Sequence, residues 1–70
     1  MMPLTMARIG ENNIIKRITG KDEVRQHLSE LGFVVGESVT IVSVIGGNMI
    51  ISVKNSRIAI DRTMASRIMI

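Results

Sequence analysis

Between Leu28 and Val39 the chain reads L-S-E-L-G-F-V-V-G-E-S-V, and a helix has to hand over to a strand inside that stretch. Gly32 closes the helix, because it takes a positive φ without the Cβ penalty of other residues. Phe33 follows it, placed to pack back onto the last helical turn. Gly36 turns the chain again and β-branched alternation begins at once.

Upstream, Val24, Leu28 and Leu31 recur at i, i+4 and i+7, which predicts a helix from about Lys21 to Leu31 with one apolar stripe. Its opposite face is polar, so it covers a barrel end. Thr19-Gly20-Lys21-Asp22 has the form of a capping box that starts this helix through the Thr19 hydroxyl and the Asp22 carboxylate. Ile14–Thr19 alternates as a first strand, with Ile14 and Ile18 on one side, Lys16 between them and Arg17 on the other. Residues Met1–Asn13 read as irregular.

Downstream of Gly36 the pattern is a β-meander. A strand over Val39–Ile45 turns at Gly46-Gly47-Asn48, Met49–Lys54 returns, and Asn55-Ser56 makes a second turn into Arg57–Ile60. Asp61 caps a single helical turn through Met64-Ala65, and Arg67–Ile70 is a last short strand. The expected fold is mainly β: a small, partly open SH3-like barrel of about five strands. One helix lies between the first and second strands, a helical turn precedes the last, and the final strand pairs with the first. An OB-like barrel is the second choice, but its helix falls later in the chain.

Composition limits what such a barrel can do. Seventy residues make one small domain, 1–70, and a single Phe33 is the only aromatic in a chain that is 46% apolar, so the core is aliphatic. Met49, Met64 and Met69 read as flexible core filler. With no cysteine there is no disulfide, thiol chemistry or zinc knuckle. No signal-peptide pattern or membrane span is legible, so the expected context is cytoplasmic, without direct membrane insertion. Nine Lys/Arg against six Asp/Glu give a net charge of +3, a mild bias toward acidic partners.

Taken in order, Leu28-x-x-Leu31-Gly32-Phe33-x-x-Gly36, Val39-x-Ile41, Gly47-Asn48-x-Ile50-x-x-Val53 and Arg57-Ile58-Ala59-Ile60-Asp61-Arg62-x-x-Ala65-x-x-Ile68-x-Ile70 carry a family resemblance. Pro3-Leu4 and Gly10 extend it to nearly the whole chain. It resembles the FeoA family, small cytosolic components of bacterial ferrous iron transport. That resemblance implies an SH3-like barrel and a non-enzymatic accessory role beside FeoB, a permease with a cytoplasmic GTP-binding domain. It also implies a position peripheral to the inner membrane, held there by that partner.

Docking on such a permease cannot use the aromatic groove through which SH3 domains take Pro-rich segments, since Tyr and Trp are absent. Aliphatic and arginine side chains must serve instead: Arg17, Arg57, Arg62 and Arg67, with Val34 and Val35 as an exposed apolar loop. The same arginines also fit ordinary protection of strand edges. A GTP-hydrolysing partner raises an arginine acting in trans, with Arg57 and Arg62 the choices by exposure, though no feature singles either out.

Metal is a separate question. On a helix Glu23, His27 and Glu30 span an arc of about 60°, an imidazole and two carboxylates suited to weak binding of ferrous iron or zinc. A solvated helix face produces the same triplet. Enzymatic function lacks an inventory: the one His has no paired nucleophile, Ser29 lies on another helical face, and no phosphate loop is present. The remaining alternatives are a stand-alone metal-binding SH3-like module and a nucleic-acid-binding barrel. No nucleic acid is expected, because single-strand binders stack bases on aromatics.

Overall fold

A computed structural model describes residues Met1–Ile70. A 3-10 turn at Leu4–Met6 precedes strands β1 (Asn12–Ile14) and β2 (Arg17–Ile18), followed by helix α1 (Asp22–Glu30). Strands β3 (Ser38–Ile45), β4 (Asn48–Val53) and β5 (Ser56–Asp61) form the meander; α2 (Arg62–Ala65) and β6 (Ile68–Met69) complete the chain. The sheets are β1-β3-β4-β5 and β2-β6, all neighbours antiparallel.

The helix-to-strand junction forms as the sequence requires. Gly32 has φ +106°; its N–H donates to the Ser29 carbonyl (3.0 Å) and the Phe33 N–H reaches back to Leu28 (2.9 Å). This pair of bonds satisfies the last carbonyls of α1 and turns Phe33 inward, where it is fully buried. Leu28 is buried beside it, with Val24 and Leu31 packed against the same core.

The first strand does not run unbroken from 14 to 19. The Ile15 N–H donates to Glu37 (2.9 Å) and the Gly36 N–H donates to Ile15 (2.8 Å), whereas the next amide, Lys16, donates to Met69 (2.8 Å). The chain thus leaves β3 at Ile15 and crosses to β6. At this corner Ile15 is buried and Ile14 is 49% exposed, so Ile14 does not share with Ile18 the side that packs on the core, contrary to what the alternation predicts. The corner divides one expected strand into two, giving six strands in place of about five.

The capping box is not formed either. Gly20, at φ +108°, holds Thr19 in the β2-β6 ladder, where its N–H (2.8 Å) and hydroxyl (3.3 Å) both donate to the Arg67 carbonyl. Lys21 occupies the N-cap position without a side-chain cap bond, and Asp22 and Glu23 supply negative charge to the first turn. The N-terminal stretch is also more ordered than its sequence suggests. Leu4 is fully buried, Asn12-Asn13 belong to β1, and Met2 and Ile70 exchange backbone bonds of 2.9 and 2.8 Å.

The meander follows its pattern. Met49, Ile51 and Val53 of β4 are buried at alternate positions, facing Val39 and Ile41 of β3 and Ile60 of β5 in one cluster. In β3 the register slips between Ile41 and Ser43, leaving Val42 as a bulge; beyond it Ser43, Val44 and Ile45 remain paired with β4, and Ile45 is exposed. The second hairpin turns on Lys54-Asn55, one residue earlier than expected, with φ +49° and +64°, both left-handed as a two-residue turn requires.

Asp61 caps α2, its Oδ1 accepting from the Met64 N–H at 2.7 Å. Asp61→Ala is expected to cost about 1 kcal/mol. Urea unfolding followed by circular dichroism measures it, and an unchanged midpoint would mean that the cap adds nothing.

Candidate docking cleft

Where β2 leads into α1, the surface opens into a cleft of about 460 Å³. One wall is Lys16-Arg17-Ile18-Thr19-Gly20; the other is Arg25 and Ser29, one turn apart on α1; Phe33-Val34-Val35 close the end. The backbone explains the placement. The corner at Ile15 turns the Lys16-Arg17 segment onto β6, and the glycine closure of α1 delivers Val34 and Val35 to the opposite side.

Three cations border the cleft and no acidic residue lines it. Arg25 has an exposed partner in Asp22, at 3.5 Å; the other ion pair of the structure, Lys54–Glu37 at 3.8 Å, lies elsewhere. Lys16 and Arg17 therefore have no intramolecular counter-charge. Val35 is 65% exposed and Val34 half-buried, while Phe33 forms the floor from within the core. The cleft thus offers positive charge beside aliphatic surface.

Of the residues singled out from sequence, the structure gathers Arg17, Val34 and Val35 at this cleft. Arg67 lies at its margin, with Cδ and Nε beside Gly20. Arg57, on β5, and Arg62, which opens α2, do not line it. Lys16, Arg25 and Ser29 were missing from the docking set. The legible signal was the i, i+4 spacing of Arg25 and Ser29, which sets them on a helix flank of their own beside the apolar stripe.

Glu23, His27 and Glu30 are exposed on the other flank of α1. Seven residues of helix separate the outer two by about 10 Å along the axis. No group of three or more His, Cys, Asp or Glu side chains in the structure is arranged to hold a metal ion, so the three do not converge as a ligand set.

A second depression, about 360 Å³, crosses β1, β3 and β4 and is lined almost wholly by polar groups. Asn12 Oδ1 accepts from the hydroxyls of Ser38 and Thr40 (the latter at 3.2 Å), so these groups already satisfy one another. No helix is long and apolar enough to cross a membrane.

The family model for the FeoA domain matches residues 2–70. A protein of Methanocaldococcus jannaschii, provisionally named Fe(2+) transport protein A, is 37% identical over 70 residues, covering all of this chain and 85% of that one. Among solved structures, an iron uptake regulatory protein (FeoA) superposes with a TM-score of 0.87 at 31% identity, over 96% of this chain and 89% of its own. The FeoA of Stenotrophomonas maltophilia superposes at 0.84 with 27% identity, over 99% and 88%. It was crystallised with zinc and is described as an SH3 domain protein and a candidate ferrous iron transport activating factor. The SH3-like fold expected from the sequence is borne out.

Proposed function

The chain belongs to the FeoA family, and from there we propose that it is an accessory factor that docks on the cytoplasmic part of a FeoB-type ferrous iron permease and modulates its gating or nucleotide cycle. The observation that supports this reading is the cleft between β2 and α1, with Lys16, Arg17 and Arg25 around an aliphatic end at Val34-Val35. Such a surface suits an acidic segment carrying an apolar side chain. The charges steer and orient it, and the valines give it a dry contact.

Titration of the labelled protein with the permease's cytoplasmic domain, followed by proton–nitrogen correlation spectra, tests the reading. Amides of residues 16–20, 25, 29 and 33–35 are expected to shift. Arg17→Glu combined with Arg25→Glu is expected to weaken binding by about tenfold or more while the spectrum stays dispersed, and added salt should weaken the wild type too. Absence of binding at low salt, or shifts confined to the β1-β3-β4 face, would overturn it.

Nucleic-acid binding has less support. Phe33 is the only aromatic and is fully buried, which leaves no ring on which a base could stack.

A further inference from the structure

The outer edge of β5 is complementary to itself, and we propose that two copies of this chain associate by pairing their β5 strands antiparallel about a two-fold axis at Ala59. The hydrogen-bond phase of the β4-β5 hairpin carries the argument. Its two-residue turn closes on the Val53–Ser56 pair, and the ladder runs on to an Arg62 N–H donating to the Gly47 carbonyl at 3.1 Å. Bonded pairs alternate along an antiparallel ladder, so Ser56, Ile58, Ile60 and Arg62 point their backbone groups at β4. Arg57, Ala59 and Asp61 point theirs away from the sheet. No backbone bond from another element reaches those groups on the free side, although the Asp61 carbonyl also heads α2.

Pairing this edge with a copy of itself at Ala59 places residue 57 opposite residue 61 and residue 58 opposite residue 60. The register puts the outward-pointing groups in bonding positions: Ala59 with the second copy's Ala59, and the Asp61 N–H with the second copy's Arg57 carbonyl. It also sets the Arg57 guanidinium across from a carboxylate at both ends, using the Asp61 oxygen that does not cap α2. A register shifted by two residues loses both charge pairs. Ile58, only half-buried in the single chain, gains the second copy's Ile60 as a neighbour. Ala59, exposed and small, leaves the two-fold centre free of obstruction.

Sedimentation velocity over a concentration series up to millimolar is the first measurement, with wild type expected to pass from 7.7 kDa toward twice that mass. Arg57→Glu is expected to weaken association about tenfold, since it sets like charges opposite each other at both ends. Ala59→Pro, which removes an outward N–H, is expected to abolish it. The chain has no cysteine, so introduced thiols report the register directly. Ala59→Cys should oxidise readily to a covalent dimer, whereas Arg57→Cys, facing residue 61, should not. A wild type that stays at 7.7 kDa throughout, a dimer indifferent to Arg57→Glu, or equal cross-linking of the two thiols would overturn the proposal.

Discussion

Phe33→Ala should leave this protein without a stable fold. Phe33 is fully buried at the point where α1 ends, its N–H is part of the helix closure, and the rest of the core is aliphatic. Truncating a buried Phe costs about 3–5 kcal/mol, because the transfer energy is lost and a cavity remains. A domain this small sits toward the lower end of the roughly 5–15 kcal/mol typical of folded proteins. Thermal melting by far-ultraviolet circular dichroism should therefore show a transition lowered by more than about 15 °C, or none. Phe33→Leu keeps most of the volume and should fall between the two. A Phe33→Ala protein melting within a few degrees of wild type would show that the junction is not what holds α1 to the barrel.

The second large effect is expected from removing residues 67–70. This tract buries Ile68 and Ile70 and is paired on both sides, to β2 through the Lys16 and Thr19 amides and to Met2-Pro3 through the Met2–Ile70 bonds and a Pro3–Met69 bridge. Each buried Ile contributes about 1.5–3 kcal/mol. Loss of the tract would also remove two members of the core cluster that contains Ile15 and Leu4. The shortened chain should give a collapsed amide spectrum and no cooperative transition. Retention of a sharp urea transition would show that the four-stranded sheet stands without its two-stranded complement.

The sequence announced features that depend on residues close together in the chain. The glycine closure of α1, the Gly46-Gly47 turn and the Asp61 cap are each set within a few residues, and all three form. What it concealed depends on distant partners. Ile14 and Ile15 are adjacent isoleucines, and only the bonds of Ile15 to Glu37 and Gly36 decide which of them faces inward. Thr19 has a capping residue's chemistry, but the Arg67 carbonyl claims both its N–H and its hydroxyl.

The cleft between β2 and α1 follows the same rule. Arg17, Val34 and Val35 were legible because a basic strand residue and an apolar loop stand out locally. Lys16 falls between Ile14 and Ile18 in the alternation, and it reaches the cleft only because the corner at Ile15 turns the chain onto β6. By itself Arg25 has no local feature that separates it from the other charges of α1. It becomes part of the cleft once α1 lies across from β2, a relation no local pattern contains.

The mutual backbone bonds of Met2 and Ile70 set the two ends of the barrel side by side. A circularly permuted gene, joining these ends through a short glycine-rich linker and opening between Gly46 and Gly47, should therefore encode the same barrel, because no strand would have to move. By the same token, a partner fused at either end would sit over the seam where β6 meets the Met2-Pro3 segment. Such a fusion would load that seam and leave the β3-β4 turn, at the far end of the hairpin, unencumbered.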